Sequence, residues 1–154
     1  MPSVTGRVYD LDAITNLGWC QAGVYDGATS VATITADVRL QALLAAAFTS
    51  ISALAPTATI TYVDGDRRWI TGILVEFARP TDPATEAQAH VGRLQIGPED
   101  GVCHVTVIES GQEVKLKTKE RLIETVLETA AALGRSIEYM ADGGSLTRAK
   151  LNFG

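Results

Sequence analysis

Hydrophobic and polar residues alternate in short runs along most of the chain, and two longer apolar runs follow helical spacing. Alternation predicts half-buried strands, whereas apolar residues at intervals of three and four predict an amphipathic helix. In the first half these patterns predict the order β-β-β-α-β-β. The strands are Gly6–Leu11, Gly18–Tyr25, Thr29–Thr35, Thr57–Val63 and Arg68–Phe77, and the helix is Leu40–Leu54.

Short polar segments separate these elements and predict how each one begins or ends. Asp26-Gly27 predicts a hairpin turn, and Asp37 is placed to cap the helix. Pro56 ends the helix, and the segment 64–66 (Asp-Gly-Asp) predicts a tight turn between the last two strands.

Residues 79–90 contain two prolines and many small or polar residues, which predicts a linker. After the linker the same order of elements returns. Thr118 is expected to cap the second helix and Gly134 to end it. The strands are Gly92–Ile96, Gly101–Glu109, Gln112–Thr118, Ser136–Met140 and Leu146–Phe153, and the helix is Leu122–Leu133.

The two halves can be aligned residue by residue, which predicts an internal duplication. The alignment pairs Gly6-Arg7-Val8 with Gly92-Arg93-Leu94, and Ile60 and Tyr62 with Ile137 and Tyr139. At a constant separation, Gly18, Cys20, Val24, Val31, Thr35, Leu44 and Ala47 match Gly101, Cys103, Val107, Val114, Thr118, Leu127 and Ala130. After one more gap, Thr71 and Phe77 match Thr147 and Phe153.

Three strands, one helix and two strands is the element order of an OB-fold, a small Greek-key barrel. The fold class expected is therefore α+β, mainly β, with two tandem β-β-β-α-β-β OB-like barrels. The expected domains are 1–78 for the first barrel, 79–90 for the linker and 91–154 for the second barrel.

The second half resembles small bacterial proteins of the toxin B-subunit type, through the segments 118–139 and 144–151. In these proteins a helix ends in a small-residue turn before a strand, and a last strand closes the barrel. The resemblance implies assembly into rings and binding of glycans. This chain departs from the pattern because it fuses two units and shows no leader sequence.

Composition narrows the range of functions. Of 154 residues, 46% are hydrophobic and 20% charged, which suits a packed core, and the net charge is -5. Because nucleic-acid affinity depends on basic residues that neutralise phosphates, we expect no nucleic-acid partner. No leader or membrane-spanning run is visible, so we expect a cytoplasmic protein without membrane insertion. Cys20 and Cys103 are expected to be buried, reduced thiols.

No catalytic set or cofactor site can be assembled from the chain. His90 and His104 are isolated, and His104 and its neighbour Cys103 point to opposite faces of a strand. The residue spacing supplies no metal-ligand cluster. We therefore expect no enzyme, no cofactor and no metal.

The candidate site is the charged and aromatic turn before the last strand of the first half, together with Trp19. An aromatic residue beside charges can bind a sugar, a peptide or another subunit; alternatively, Trp69 packs inward below a solvated turn. The candidate ligand or interface residues are Asp64, Asp66, Arg67, Arg68, Trp69 and Trp19.

Two functions follow from these patterns. The first is a structural protein that forms a homo-oligomeric ring, shell or filament, with the Ala-rich segment Leu44–Phe48 allowing close packing between subunits. The alternative is an OB-type binding module that recognises a glycan or peptide.

Overall fold

The computed structural model describes residues 2–49, 56–77, 88–97 and 101–152. In these residues the protein is mainly β with two helices. The strands are β1 (Ser3–Ile14), β2 (Trp19–Tyr25), β3 (Ser30–Thr35), β4 (Thr57–Val63), β5 (Trp69–Glu76), β6 (Ala89–Ile96), β7 (Cys103–Glu109), β8 (Gln112–Thr118), β9 (Ser136–Asp142) and β10 (Ser145–Leu151). The helices are α1 (Val38–Thr49) and α2 (Arg121–Leu133).

The first five strands close into a mixed barrel that is OB-like in part. β1 pairs antiparallel with β2 and β4, β2 pairs with β3, and β4 pairs with β5. A parallel contact between Ile34 of β3 and Trp69 of β5 completes the ring. The helix α1 lies between β3 and β4 in sequence, as the OB-fold requires.

The other five strands lie outside this barrel and pair in a corresponding order. β6 pairs with β7 and β9, β7 with β8, and β9 with β10. Lys117 of β8 and Ser145 of β10 form the single parallel contact. Antiparallel pairing of β5 with β6 makes all ten strands one continuous sheet.

One apolar core runs through both halves. Leu43 and Leu44 of α1, and Leu127 of α2, have no exposed side-chain surface. They belong to the same cluster of buried residues as Ile60, Ile73 and the other inward-facing strand residues. This packing explains the alternating sequence pattern, because each strand turns every second side chain inward.

The helix ends follow local chemistry, with one difference from expectation. The Asp37 carboxylate accepts the Arg39 backbone N–H at 2.8 Å, so Asp37 caps α1. Gly134 ends α2 in the left-handed conformation at φ 65°. Thr118 does not cap α2: its hydroxyl accepts the Glu120 N–H at 3.0 Å, and Glu120 occupies the N-cap position without a side-chain cap bond.

The Ala-rich segment packs within the chain. Ala46 and Ala47 of α1 are buried, and α1 contacts α2 directly. A groove between the two helices is lined by small side chains that include Ala42 and Ala132. Small residues therefore serve helix packing inside one chain, and their packing between subunits stays a prediction.

Several sequence-based elements extend beyond the described residues. The end of the first helix to Leu54, most of the predicted 79–90 linker and the end of the last strand at Phe153 lie outside them. The last two residues of that predicted linker, Ala89 and His90, are buried in β6 opposite Ile137 and Ser136.

The strand register changes two parts of the sequence alignment between the halves. Val8 lies opposite Val24 and Val91 lies opposite Val107, so Val91, and not Leu94, corresponds to Val8. Ala58 lies opposite Gly6 in β1, and Ile137 lies opposite Ala89 in β6. By strand register, Ile137 therefore matches Ala58, two residues before Ile60. A shift of two residues keeps the same face of the strand inward, so the alternating sequence pattern does not reveal it.

Candidate functional site

A cavity of about 430 Å³ opens on the outer surface of the first barrel. It lies between the β1–β2 loop, the outer face of β2 and β3, and the β4–β5 loop. Those strands and the two loops are the usual ligand-binding surface of OB-folds. The residues lining the cavity are Ile14, Leu17, Trp19, Gln21, Ala32, Ile34, Gly65, Asp66, Arg67 and Arg68.

Two tryptophans form an edge-to-face pair beside this cavity: Trp19 lines it, and Trp69 contacts the Trp19 ring without belonging to the lining. The ring centroids of Trp19 and Trp69 are 5.5 Å apart, with an angle of 85° between the planes. Trp19 begins β2, and Trp69 begins β5 at the parallel contact with β3, so barrel closure brings them together. Trp69 remains 41% exposed, which differs from the alternative in which it packs inward.

The β4–β5 loop carries charged residues, and one of them contacts this aromatic pair. The Arg67 guanidinium lies 4.7 Å from the centroid of the Trp19 ring, within the range of a cation–π contact. Arg68 Nε lies 3.9 Å from the Asp64 carboxylate, and both side chains are exposed. An exposed pair at this distance adds little stability, so these two charges are open to an incoming ligand.

The structure thus gathers all six sequence-predicted site residues at one end of one barrel. The sequence interpretation missed Ile14, Leu17 and Gln21, which also line the cavity. Leu17 is half exposed in a predicted loop. An exposed leucine two residues before a tryptophan was the available signal for an apolar loop at a site.

The same outer face also carries acidic residues. In a sheet, residues directly opposite one another share a face. Asp12 lies opposite Gln21, which lies opposite Ile34, and Ile34 pairs with Trp69. Asp10 lies two residues before Asp12 on β1, in the neighbouring row with Gly23 and Ala32. Both aspartates are exposed.

The outer face of the second half is basic in the corresponding rows. Gln95, His104 and Lys117 form one row, which Ser145 extends. Arg93, Thr106 and Lys115 form the next row. A cavity of about 440 Å³ beside these rows is lined by Val102, Lys117, Thr118, Lys119, Glu120, Ser145 and Leu146.

Titratable groups also meet where the helices pack together. Arg39 Nε of α1 donates to both carboxylate oxygens of Glu124 of α2, at 3.0 and 3.1 Å, and Glu124 is fully buried. Arg39 Nη1 donates to the Gly101 carbonyl. The hydrogen bond to Glu124 raises the pKa of Arg39. This network joins the two halves and is separate from the cavity.

The buried thiols differ from activated cysteines. Burial, reinforced by Glu124 and Glu128, raises the pKa of the Cys103 thiol to about 12. Burial also raises the pKa of Cys20. Both cysteines are free and buried, as expected from the sequence. Since the thiolate is the reactive form, both thiols are protonated and poorly reactive at neutral pH.

Among residues 2–49, 56–77, 88–97 and 101–152, no three His, Cys, Asp or Glu side chains are grouped to hold a metal ion. Neither described helix is long and apolar enough to cross a membrane.

No family model, curated protein or solved structure matches this chain.

Proposed function

We propose that this protein is a non-catalytic binding module built from two OB-like barrels, and that the first barrel presents the ligand-binding face. The observation that carries the proposal is the grouping of Trp19, Trp69 and Arg67 around a cavity between the β1–β2 and β4–β5 loops. A concave site with exposed aromatic rings and a few polar groups is the usual form of a ligand site.

Duplication of the unit is supported by the strand register. Cys20 lies opposite Thr35 in the first half, and Cys103 lies opposite Thr118 in the second. Each residue of the second pair is 83 positions after its counterpart in the first pair. The parallel closures also correspond: the Ile34 N–H donates to the Arg68 carbonyl, and the Lys117 N–H donates to the Gly144 carbonyl, both at 2.9 Å. A second OB-like barrel formed by β6–β10 follows from this proposal.

The β-bulges support the same duplication. β5 has a bulge at Thr71 and β10 has one at Thr147. The Thr71 hydroxyl donates to the Thr61 carbonyl at 3.1 Å, and the Thr147 hydroxyl donates to the Met140 carbonyl at 3.2 Å. Bulges are retained features of related strands, so matching bulges with matching hydroxyl bonds favour a common origin.

The ligand class that suits the first-barrel cavity is a glycan, with a peptide as the alternative. A sugar ring can stack on the exposed face of Trp69, because a tryptophan offers a large apolar surface at low entropic cost. Asp64, Asp66 and Arg68 supply acceptors and donors for the hydroxyl groups around that ring. A peptide would use the same aromatic surface for an apolar side chain.

The test is a screen of glycans and peptides with the intact protein, followed by titration of any ligand found. Both tryptophans of the chain lie at this site, so their fluorescence reports occupancy directly. We expect Trp69→Ala to weaken binding by about tenfold or more, because a central aromatic anchor carries much of the binding energy.

Leu122→Ala is the matched control, because Leu122 is an 83% exposed apolar residue on α2. We expect this substitution to leave the affinity unchanged. A ligand that binds Trp69→Ala and Trp19→Ala as well as the unaltered protein contradicts the proposed site.

A second candidate function is assembly into a homo-oligomeric ring, shell or filament. The observation that favours it is the opposite charge of corresponding outer faces: Asp10 and Asp12 in the first half, Lys115 and Lys117 in the second. Light scattering at micromolar concentration tests this candidate, and a monomer under these conditions contradicts it.

A further inference from the structure

The acidic strip on the first half consists of Asp10 and Asp12 of β1. Both side chains are exposed, and neither forms an ion pair within the described part of the chain. Asp12 lies in the row that leads through Gln21 and Ile34 to Trp69. The strip therefore borders the aromatic cavity and belongs to the same binding face.

The basic strip on the second half consists of Lys115 and Lys117 of β8, followed by Lys119. All three are exposed, and none pairs with a carboxylate among the described residues. His104 is directly opposite Lys117 and shares its face. Three exposed lysines at alternating positions form a local positive surface on a chain of net charge -5. The exposed Glu113, two residues before Lys115 on the same face of β8, bounds this surface at one end.

The two strips match in spacing as well as in sign. Asp10 and Asp12 are two residues apart on one strand, and so are Lys115 and Lys117. Two residues of a strand span about 6.7 Å, so two aspartates can meet two lysines at once. The two strips lie on different strands of these faces, because β1 is the first strand of its half and β8 is the third strand of its half.

We propose that the first-half face of one copy binds the second-half face of another copy, with Asp10 and Asp12 meeting Lys115 and Lys117. This inference rests on the proposed function, because it assigns a partner to the same first-half binding face. The contact joins two different surfaces, so a bound pair still presents one free face of each kind, one on each copy. Such a heterologous contact propagates into a ring if the rotation closes and into a filament if it does not.

Charge reversal tests this contact. We expect Asp10→Lys with Asp12→Lys to weaken self-association by about tenfold or more, and Lys115→Asp with Lys117→Asp to do the same, because like charges then face each other. The chain with all four substitutions restores the opposite charges in exchanged positions, and we expect it to assemble again. Sedimentation velocity at micromolar concentration measures each state.

Two controls complete the experiment. Circular dichroism checks that each variant is folded, which is expected because all four positions are exposed. Lys150→Asp places one Lys→Asp change on an exposed residue of β10 outside the two rows, and we expect it to leave assembly unchanged. Raising the salt concentration is expected to weaken assembly of the unaltered protein, because dissolved ions screen the attraction between exposed charges.

Three outcomes would overturn the inference. The unaltered protein could be a monomer, either pair of reversals could leave assembly intact, or the folded fourfold variant could fail to reassemble. A monomer that binds dextran sulfate only while Lys115 and Lys117 are present would assign the basic strip to an external polyanion instead. Because the lysine variants retain both tryptophans, ligand binding at the aromatic cavity is measured independently and can persist when self-association fails.

Discussion

At the scale of single residues, the ion pair between Arg39 and Glu124 matters because a buried carboxylate loses its hydration and needs a charged partner. Glu124 has no exposed surface, and both of its oxygens accept hydrogen bonds from Arg39. Arg121 approaches Glu124 only to 3.9 Å and instead bonds Glu128 at 3.0 Å. Glu124 thus depends on a cation supplied by the other half of the chain.

We expect Arg39→Ala to lower the free energy of unfolding by about 3–5 kcal/mol, because it leaves a buried carboxylate without its partner. Lys150→Ala removes one member of the exposed pair with Glu138 and is expected to cost about 1 kcal/mol or less. Urea denaturation of both variants measures the difference. Equal effects of the two substitutions would show that the buried pair is not a major stabilising contact.

At the scale of elements, the two helices begin at corresponding positions but by different chemistry. The Gln41 N–H donates to the Asp37 carbonyl and the Glu124 N–H donates to the Glu120 carbonyl, both at 3.0 Å, so the first turns agree in register. Only Asp37 adds a side-chain cap bond, since Glu120 makes none. The short aspartate side chain reaches back to the free N–H groups of the first turn, which the longer glutamate does not do here.

This difference predicts unequal effects of alanine at the two caps. We expect Asp37→Ala to destabilise the protein by about 1 kcal/mol, whereas Glu120→Ala should change stability by about 0.5 kcal/mol or less, as at an ordinary surface position. Thermal unfolding followed by circular dichroism compares the two variants. A larger loss for Glu120→Ala would contradict the assignment of the cap.

At the scale of the whole molecule, the two halves are joined through both the sheet and the helices. β5 pairs with β6 from Ile73–Ile96 to Glu76–Arg93, and α1 packs against α2. The Arg39–Glu124 pair crosses the same boundary. These contacts bury backbone hydrogen bonds, apolar surface and charges together, so separating the halves would expose all three.

We therefore expect the chain to unfold in one cooperative transition. Both tryptophans lie in the first half, whereas far-ultraviolet circular dichroism reports strands of both halves. The denaturation curves from fluorescence and circular dichroism should coincide. Two separated midpoints would show that the halves unfold independently and that their interface contributes little.

The order and type of the described elements were predictable from the sequence, because alternation, helical spacing and turn residues act locally. Helical spacing did not indicate that Glu124 and Glu128 are buried while Leu122 is exposed. The tertiary structure decided the rest. The meeting of Trp19 with Trp69 needs the closure between β3 and β5, and the Arg39–Glu124 pair needs α1 to pack on α2. The outward placement of Asp10 and Asp12 beyond the buried Val8 depends on a bulge at Tyr9, and that of Arg93 beyond the buried Val91 depends on a bulge at Gly92. A period-two pattern specifies which side chains point inward but not which residues pair, so a shift of two residues leaves the sequence pattern unchanged.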